Sequence, residues 1–222
     1  IFTAILLYSK FAYRYSKTRI SDCYGLCAEV GKMALGLKAG MVEIVDHDPK
    51  WEENAVNTIK RLRSILGSAA IDIQHIGSTA IRHIKAKPVI DIAVLVRNFE
   101  EVLALTPALE KGGFIFRGWE GNEDRQPVFQ CGEYIPEEKD MRLLTHYIHI
   151  VKAGSRQWDN YINFRDYMNE HPAVASEYET LKMRLEKKYK NDYSGYHKGK
   201  QDYISAIIKA ANRWAGSKRF LG

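Results

Sequence analysis

The stretch Gln74-His75-Ile76-Gly77-Ser78-Thr79, followed by Lys87-Pro88-Val89-Ile90-Asp91-Ile92-Ala93-Val94, decides the reading of this chain. A glycine-serine turn closes one apolar run, and a lone carboxylate sits inside the next. Side chains alternate along a strand, so Val89, Asp91, Ala93 and Leu95 share one face while Ile90, Ile92, Val94 and Val96 share the other. A carboxylate in so apolar a strand must meet a cation, hydrogen-bond donors or water, because burying it unpaired is costly. A small-residue turn brings backbone N–H groups close to phosphate oxygens, and an aspartate on the following strand is placed to hold a divalent cation bridging those oxygens. Each half also has an ordinary reading. Glycine-serine pairs are common turn material, and Asp91 alone reads as a hydrogen-bonded or edge-exposed residue.

Working outward, residues 70–76 are predicted as a strand entering the turn. Residues 88–96 form a second strand, apolar on both faces and therefore central in its sheet. Upstream, residues 42–45 alternate as a first strand. Asp48-Pro49 then supplies a cap and a first helical position, and Ala55, Ile59, Leu62 and Leu66 carry a helix over 49–66 that stops at Gly67. Downstream, Asn98 and Glu101 make a capping box opening a helix that ends at Gly112-Gly113. Short strands are expected at 114–117 and 128–131, with a polar loop over 120–126, and the last strand at 143–151. Helices follow at 156–169, 172–190 and 198–214. Tyr178, Leu181, Leu185 and Tyr189 stripe the second of these and Ile204, Ile207, Ile208 and Ala211 the third, and both stripes read as core. The pattern predicts an α+β fold: a mixed β-sheet flanked by helices, with a helical C-terminal region.

A chain of 222 residues that is 45% hydrophobic has apolar material for one sizeable core. A net charge of +6 favours an anionic partner such as a nucleotide or phosphorylated small molecule. The basic residues are interspersed with 27 acids, so a nucleic-acid partner is not expected. Cys23, Cys27 and Cys131 make an odd count without paired C-x-x-C zinc spacing, which predicts a reduced compartment and a cytoplasmic location. Residues 1–7 are apolar, and Lys10, Arg14, Lys17 and Arg19 precede the first acid, Asp22. That run is well short of the roughly 18–20 residues needed to span a bilayer, and its basic residues follow it instead of leading, unlike a secretory signal. No membrane association is expected, although an acid-poor segment also fits an organellar transit peptide. The expected organisation is an extension over 1–40, a domain over 41–215 and a tail over 216–222.

Several ordered motifs then agree: H-I-G-S-T-A at 75–80, K-P-x-I-D-I at 87–92, T-H-x-x-H-I-V at 145–151 and F-R-D-Y at 164–167. Glu170-His171-Pro172, Tyr178-x-x-Leu181-Lys182, Tyr196, Lys200 and Tyr203 continue them. Over about residues 42–212 the chain resembles the GrpB family of the nucleotidyltransferase superfamily. The resemblance implies a nucleotidyltransferase-like fold that binds a nucleoside triphosphate with a divalent metal, magnesium or manganese with zinc as an alternative. It further implies transfer of a nucleotidyl group to a hydroxyl acceptor. On this reading Asp91 and His149 are catalytic, and Asp91, His149 and His75 are metal ligands. Gly77, Ser78, Thr79, Lys87, Arg165, Lys182 and Lys200 bind the nucleotide or its phosphates.

His149 enters because Tyr147 and His149 point one way from the strand 143–151 and His146 the other. If that strand neighbours the one carrying Asp91, His149 takes the place of a third carboxylate, as a ligand or as a base with an ordinary pKa near 6.5. Nucleotidyltransferases of this superfamily typically carry D-x-D on the Asp91 strand, and here the second position is Ala93. Losing it removes an anionic ligand that two magnesium ions would share. The alternative is therefore a non-catalytic module that binds a nucleotide or phosphoryl ligand. A role accessory to coenzyme A metabolism is suggested by the family's occurrence fused to dephospho-coenzyme A kinases; without a G-x-x-x-x-G-K-[ST] loop the chain is not such a kinase itself. Arg165-Asp166 also reads as an ion pair, Lys182 as decoration beside Leu181, and Tyr196 and Tyr203 as packing residues or base-stacking ones.

Overall fold

The computed structural model describes residues 35–38, 40–121, 125–134 and 142–219. Cys23, Cys27 and nearly all of the extension expected over 1–40 lie outside them. The two strands around the glycine-serine turn are β2 (Ala70–Ile76) and β3 (Ile90–Val96), paired antiparallel with Ile76 opposite Asp91, His75 opposite Ile92 and Gln74 opposite Ala93. On its other side β3 runs parallel to β6 (Arg142–Lys152), with Asp91 beside Tyr147 and Ala93 beside His149. β5 (Gln126–Tyr134) pairs antiparallel with β6, and β4 (Ile115–Glu120) antiparallel with β5. The order is β2-β3-β6-β5-β4, and the two-residue β1 (Leu37–Lys38) adds onto the start of β6.

One face of the sheet presents Ile73, Ile90, Ile92, Val94, Ile148 and Ile150 to α1 (Lys50–Leu66), α2 (Phe99–Ala104) and α3 (Thr106–Lys111), whose Ala55, Leu62, Val102 and Leu109 close the main core. The other face presents Ile76, Ala93 and Val151 to Trp158, Tyr161 and Ile162 of α4 (Arg156–Glu170). Next to α4, α5 (Pro172–Lys188) and α6 (Tyr193–Arg219) close over the segment after the turn, burying Ile81 and Ile84 with Phe164, Met168 and Tyr178. With neighbours on both edges and helices on both faces, β3 reads as a nearly unbroken apolar run because little of it meets water. Each aliphatic side chain buried there stabilises the fold by about 1.5–3 kcal/mol. Asp91 contributes nothing of that kind, so its presence needs another explanation.

The expected α+β architecture holds, with local departures. Residues 42–45 are not a strand. Val45 makes a single antiparallel bridge to Ala86. Val42 is buried with Leu185 and Tyr196, its amide bonded to the Lys190 carbonyl, and the Ile44 amide bonds Glu186. Alternation there reflects a strap from sheet to helices. The helix opened by the Asn98–Glu101 capping box breaks at Leu105, because Pro107 enters α3 and has no amide to continue α2. β5 starts before Pro127, which is tolerated because the ladder to β6 begins only at Val128. α6 starts five residues earlier than expected, where the Asp192 carboxylate accepts from the Gly195 amide and caps it. Among the described residues no helix is long and apolar enough to cross a membrane.

Candidate functional site

Gly77 leaves β2 with φ +73° and ψ −171°, a conformation open essentially to glycine alone. Its bare Cα lies against the Asp91 side chain. A Cβ there would collide with Asp91 Oδ2 and stand 2.9 Å from Asp91 Cβ and Cγ. The turn and the carboxylate singled out by the sequence are therefore in contact. Ser78 opens the short turn of residues 78–80, half-buried, and the Ala80 amide closes it onto the Gly77 carbonyl.

His149 shares the Asp91 face, as strand geometry requires once β3 and β6 are neighbours. Its Nε2 is 3.5 Å from Asp91 Oδ1, a long hydrogen bond, and its Nδ1 is 3.4 Å from the Gln126 amide nitrogen. Gln126 in turn donates to the Tyr161 hydroxyl at 2.8 Å. With the proton on Nε2, His149 donates to Asp91 and accepts from Gln126, so both ring nitrogens are engaged. The side chain of Asp91 keeps 29% of its surface exposed, against 15% for His149.

Two lysines complete the surroundings. Lys87, just ahead of β3, holds its Nζ 4.5 Å from the Tyr193 ring centroid and 5.6 Å from that of Tyr196. Lys200 on α6 lies 5.1 Å from the same Tyr196 ring. α6 comes this close to α5 because Gly199 has no side chain: a Cβ there would stand 2.5 Å from Leu185 Cδ2. Burial pushes the carboxyl of Asp91 up, but the His149 hydrogen bond, the charge His149 carries when protonated, and the charges of Lys87 and Lys200 outweigh it, leaving the group below the usual carboxylate range. Burial lowers Lys87, with Asp91 opposing, and takes Lys200 down to about 7, aided by Lys87 and again opposed by Asp91. Tyr147 and Tyr193 share a hydrogen bond beside this group, and burial raises both phenols.

The remaining expected site residues lie elsewhere or are already engaged. His75 pairs with Ile92, which turns it to the α1 face, away from Asp91. There its Nε2 bonds the Thr79 hydroxyl at 3.0 Å, and burial takes it down to about 4. Thr79 is buried in that same contact. His146 also faces α1, between Thr58 and Thr145. Arg165 joins α4 to β2, donating to Gln74 Oε1 at 3.0 Å and the His75 carbonyl at 2.9 Å while pairing with Asp166. Lys182 is 1% exposed, donates to the Lys85 carbonyl and lies 4.7 Å from the Tyr178 ring centroid. Gln126, Tyr161 and Tyr193 were not anticipated. Gln126 fell in an expected loop, and no motif or stripe singled out either tyrosine.

Asp91 and His149 are the candidate metal ligands that stay together, and this donor set does not fit a pair of magnesium ions. The imidazole engages both nitrogens within the protein, and the place of a second carboxylate is Ala93, fully buried against α4. Among the described residues no group of three or more His, Cys, Asp or Glu is placed to hold a metal ion.

A profile of the GrpB protein family matches residues 41–210. The glutamate-rich protein GrpB of Alkalihalophilus pseudofirmus is 34% identical over 176 residues, covering 78% of this chain and 98% of that protein. The UPF0157 protein YqkA of Bacillus subtilis is 30% identical over 211 residues, 95% of this chain but only 58% of YqkA, so the chain spans a little over half that relative's length. Among solved structures, the crystal structure of the conserved protein GrpB from Enterococcus faecalis superposes with a TM-score of 0.68 at 28% identity, covering 78% of this chain and 99% of that one.

Proposed function

The chain belongs to the GrpB family, and on that footing we propose that the Asp91 face binds the phosphoryl groups of a nucleotide or another phosphorylated small molecule. The observation that carries the reading is the lysine pair. Lys87 and Lys200 approach one tyrosine ring from different parts of the fold, and both act on the single carboxylate of Asp91. Lys87 balances the carboxylate, and Lys200, held at about 7 by burial, takes up its proton as an anion arrives, so a phosphate would meet two ammonium groups at a partly buried place. The Gly77-Ser78 turn lies beside that carboxylate, where its backbone amides would meet a second phosphoryl oxygen. Tyr147 and Tyr193 supply hydroxyls and an aromatic wall.

Transfer of a nucleotidyl group, the reaction the family resemblance implies, draws support from the Asp91–Gly77 contact. It requires a group to accept the attacking hydroxyl's proton. Asp91 is a weak base while it is held below the usual range, and His149 serves only if it releases Gln126 or Asp91. Binding is therefore the better supported function, and turnover is the second reading.

Isothermal titration with ATP, pyrophosphate and adenosine, each with and without magnesium, tests both. ATP or pyrophosphate is expected to bind and adenosine to bind far more weakly, and Lys87→Met and Lys200→Met are each expected to weaken binding. Absence of binding under every condition, or affinity unchanged in both variants, overturns the proposal. Release of pyrophosphate from ATP on incubation with candidate hydroxyl acceptors would establish the second reading.

A further inference from the structure

We infer that this site takes its polyphosphate without a divalent cation, the ammonium groups of Lys87 and Lys200 standing where a site with two carboxylates would hold its metal ions. The inference rests on the phosphoryl-binding reading above and concerns what neutralises the ligand.

Three features of the geometry carry it. First, the donor set is too poor for a metal. Asp91 offers one carboxylate, whose Oδ2 packs on the Gly77 backbone and whose Oδ1 faces His149. His149 is engaged at both nitrogens, and His75 lies on the opposite side of the sheet, bonded to Thr79. Magnesium asks for near-octahedral oxygen coordination, and one carboxylate with an imidazole is a thin contribution to it.

Second, the charge already present opposes a further cation. Lys87 and Lys200 both stand over the Tyr196 ring and act on Asp91, so a divalent ion on that carboxylate would meet the Lys87 ammonium and oppose protonation of Lys200, which burial already holds at about 7. In a site of paired carboxylates the metal relieves repulsion among anions; here it would add repulsion among cations. A triphosphate or pyrophosphate reverses the balance, since its oxygens accept from both ammonium groups and from the turn amides at once.

Third, the lysines are held in place for this role. Both lie over the ring of Tyr196, which is itself buried with Val42 and Leu185. Lys87 also rests on Tyr193, and Lys200 follows the glycine that lets α6 approach α5. Lysines held against aromatic rings lose less freedom on meeting a ligand than lysines that sample open solvent.

The decisive measurement is titration of pyrophosphate and of ATP into the full chain in EDTA, repeated in excess magnesium and in manganese. Equal or tighter binding in EDTA is expected, because free polyphosphate carries more negative charge than its metal complex. Asp91→Asn is expected to retain or strengthen binding in EDTA, since it removes a negative charge facing the ligand. Lys87→Met and Lys200→Met are each expected to weaken it roughly 10- to 100-fold, the usual scale for losing one charge-assisted hydrogen bond. Binding that appears only with magnesium or manganese and disappears in Asp91→Asn overturns this inference while leaving the phosphoryl-binding function standing. No binding with or without metal overturns both. The comparison of metal conditions uses the unaltered chain, so it stands even if a variant fails to fold.

Discussion

Replacing Gly77 by alanine tests the contact on which the site depends. The backbone at Gly77, φ +73° and ψ −171°, lies in a region that costs a non-glycine residue about 1–3 kcal/mol. The new methyl would also collide with Asp91 Oδ2 and stand 2.9 Å from two further Asp91 atoms. Aspartate has too short a side chain to swing clear while keeping its 3.5 Å contact to His149. Strain and displacement together predict a loss of about 2–4 kcal/mol in unfolding free energy, or roughly 5–15 °C in Tm for a domain of this size. Calorimetry or denaturant unfolding reads the loss, and the double variant Gly77→Ala, Asp91→Ala separates its parts. Removing the carboxylate relieves the collision with Oδ2 and Cγ but not the backbone strain, so the two substitutions should be less than additive by about 1 kcal/mol or more. A single variant with unchanged Tm would refute the close approach, and strict additivity would show that Asp91 is not what Gly77 accommodates.

Lys182→Met should stabilise the protein, by about 1–3 kcal/mol at pH 6, because an ammonium with 1% exposure gives way to an apolar chain of similar length. Burial first, then the charge of Lys200, takes Lys182 down to about 7, so between that pH and its unfolded pKa the unfolded chain binds the extra proton. Wild-type stability therefore gains from this group as pH rises through that window, and the advantage of the variant should shrink between pH 6 and pH 9; an advantage that grows would refute the assignment. Ala93→Asp, which recreates the missing carboxylate, should destabilise by about 3–5 kcal/mol, since Ala93 is fully buried against Trp158, Tyr161 and Ile162. Manganese should not restore its Tm, and a variant rescued by manganese would show that the place still accepts a metal.

The fold was legible where one physical signal dominated. β3 announced itself because both faces are covered, and the Asn98–Glu101 capping box marked the start of α2 where it occurs. Legibility failed where tertiary contacts overrode local pattern. Residues 42–45 alternate like a strand, yet their amides are taken by Lys190 and Glu186, partners more than 140 residues away. The start of α6 was hidden because Gly195 is a poor helix former, and the Asp192 cap that opens the helix was not recognised in the sequence.

At the site, alternation along one strand was enough to place His146 and His149 on opposite faces, and it succeeded. Relating His75 to Asp91 needed the register between two strands, and a one-residue difference in register exchanges the faces. Ile76, not His75, stands opposite Asp91, so the imidazole nearest to the turn in sequence belongs to the other side of the sheet. The same distinction governs the lysines. Lys87, Lys182 and Lys200 are equivalent as letters, but Lys182 is bonded inside the helical layer while the other two act on Asp91. The helices thus bring two amines to a motif read as carboxylate chemistry. On the proposed reading the acid at position 91 is the counter-charge of Lys87 and Lys200 beside a bound anion, and not the remnant of a metal pair.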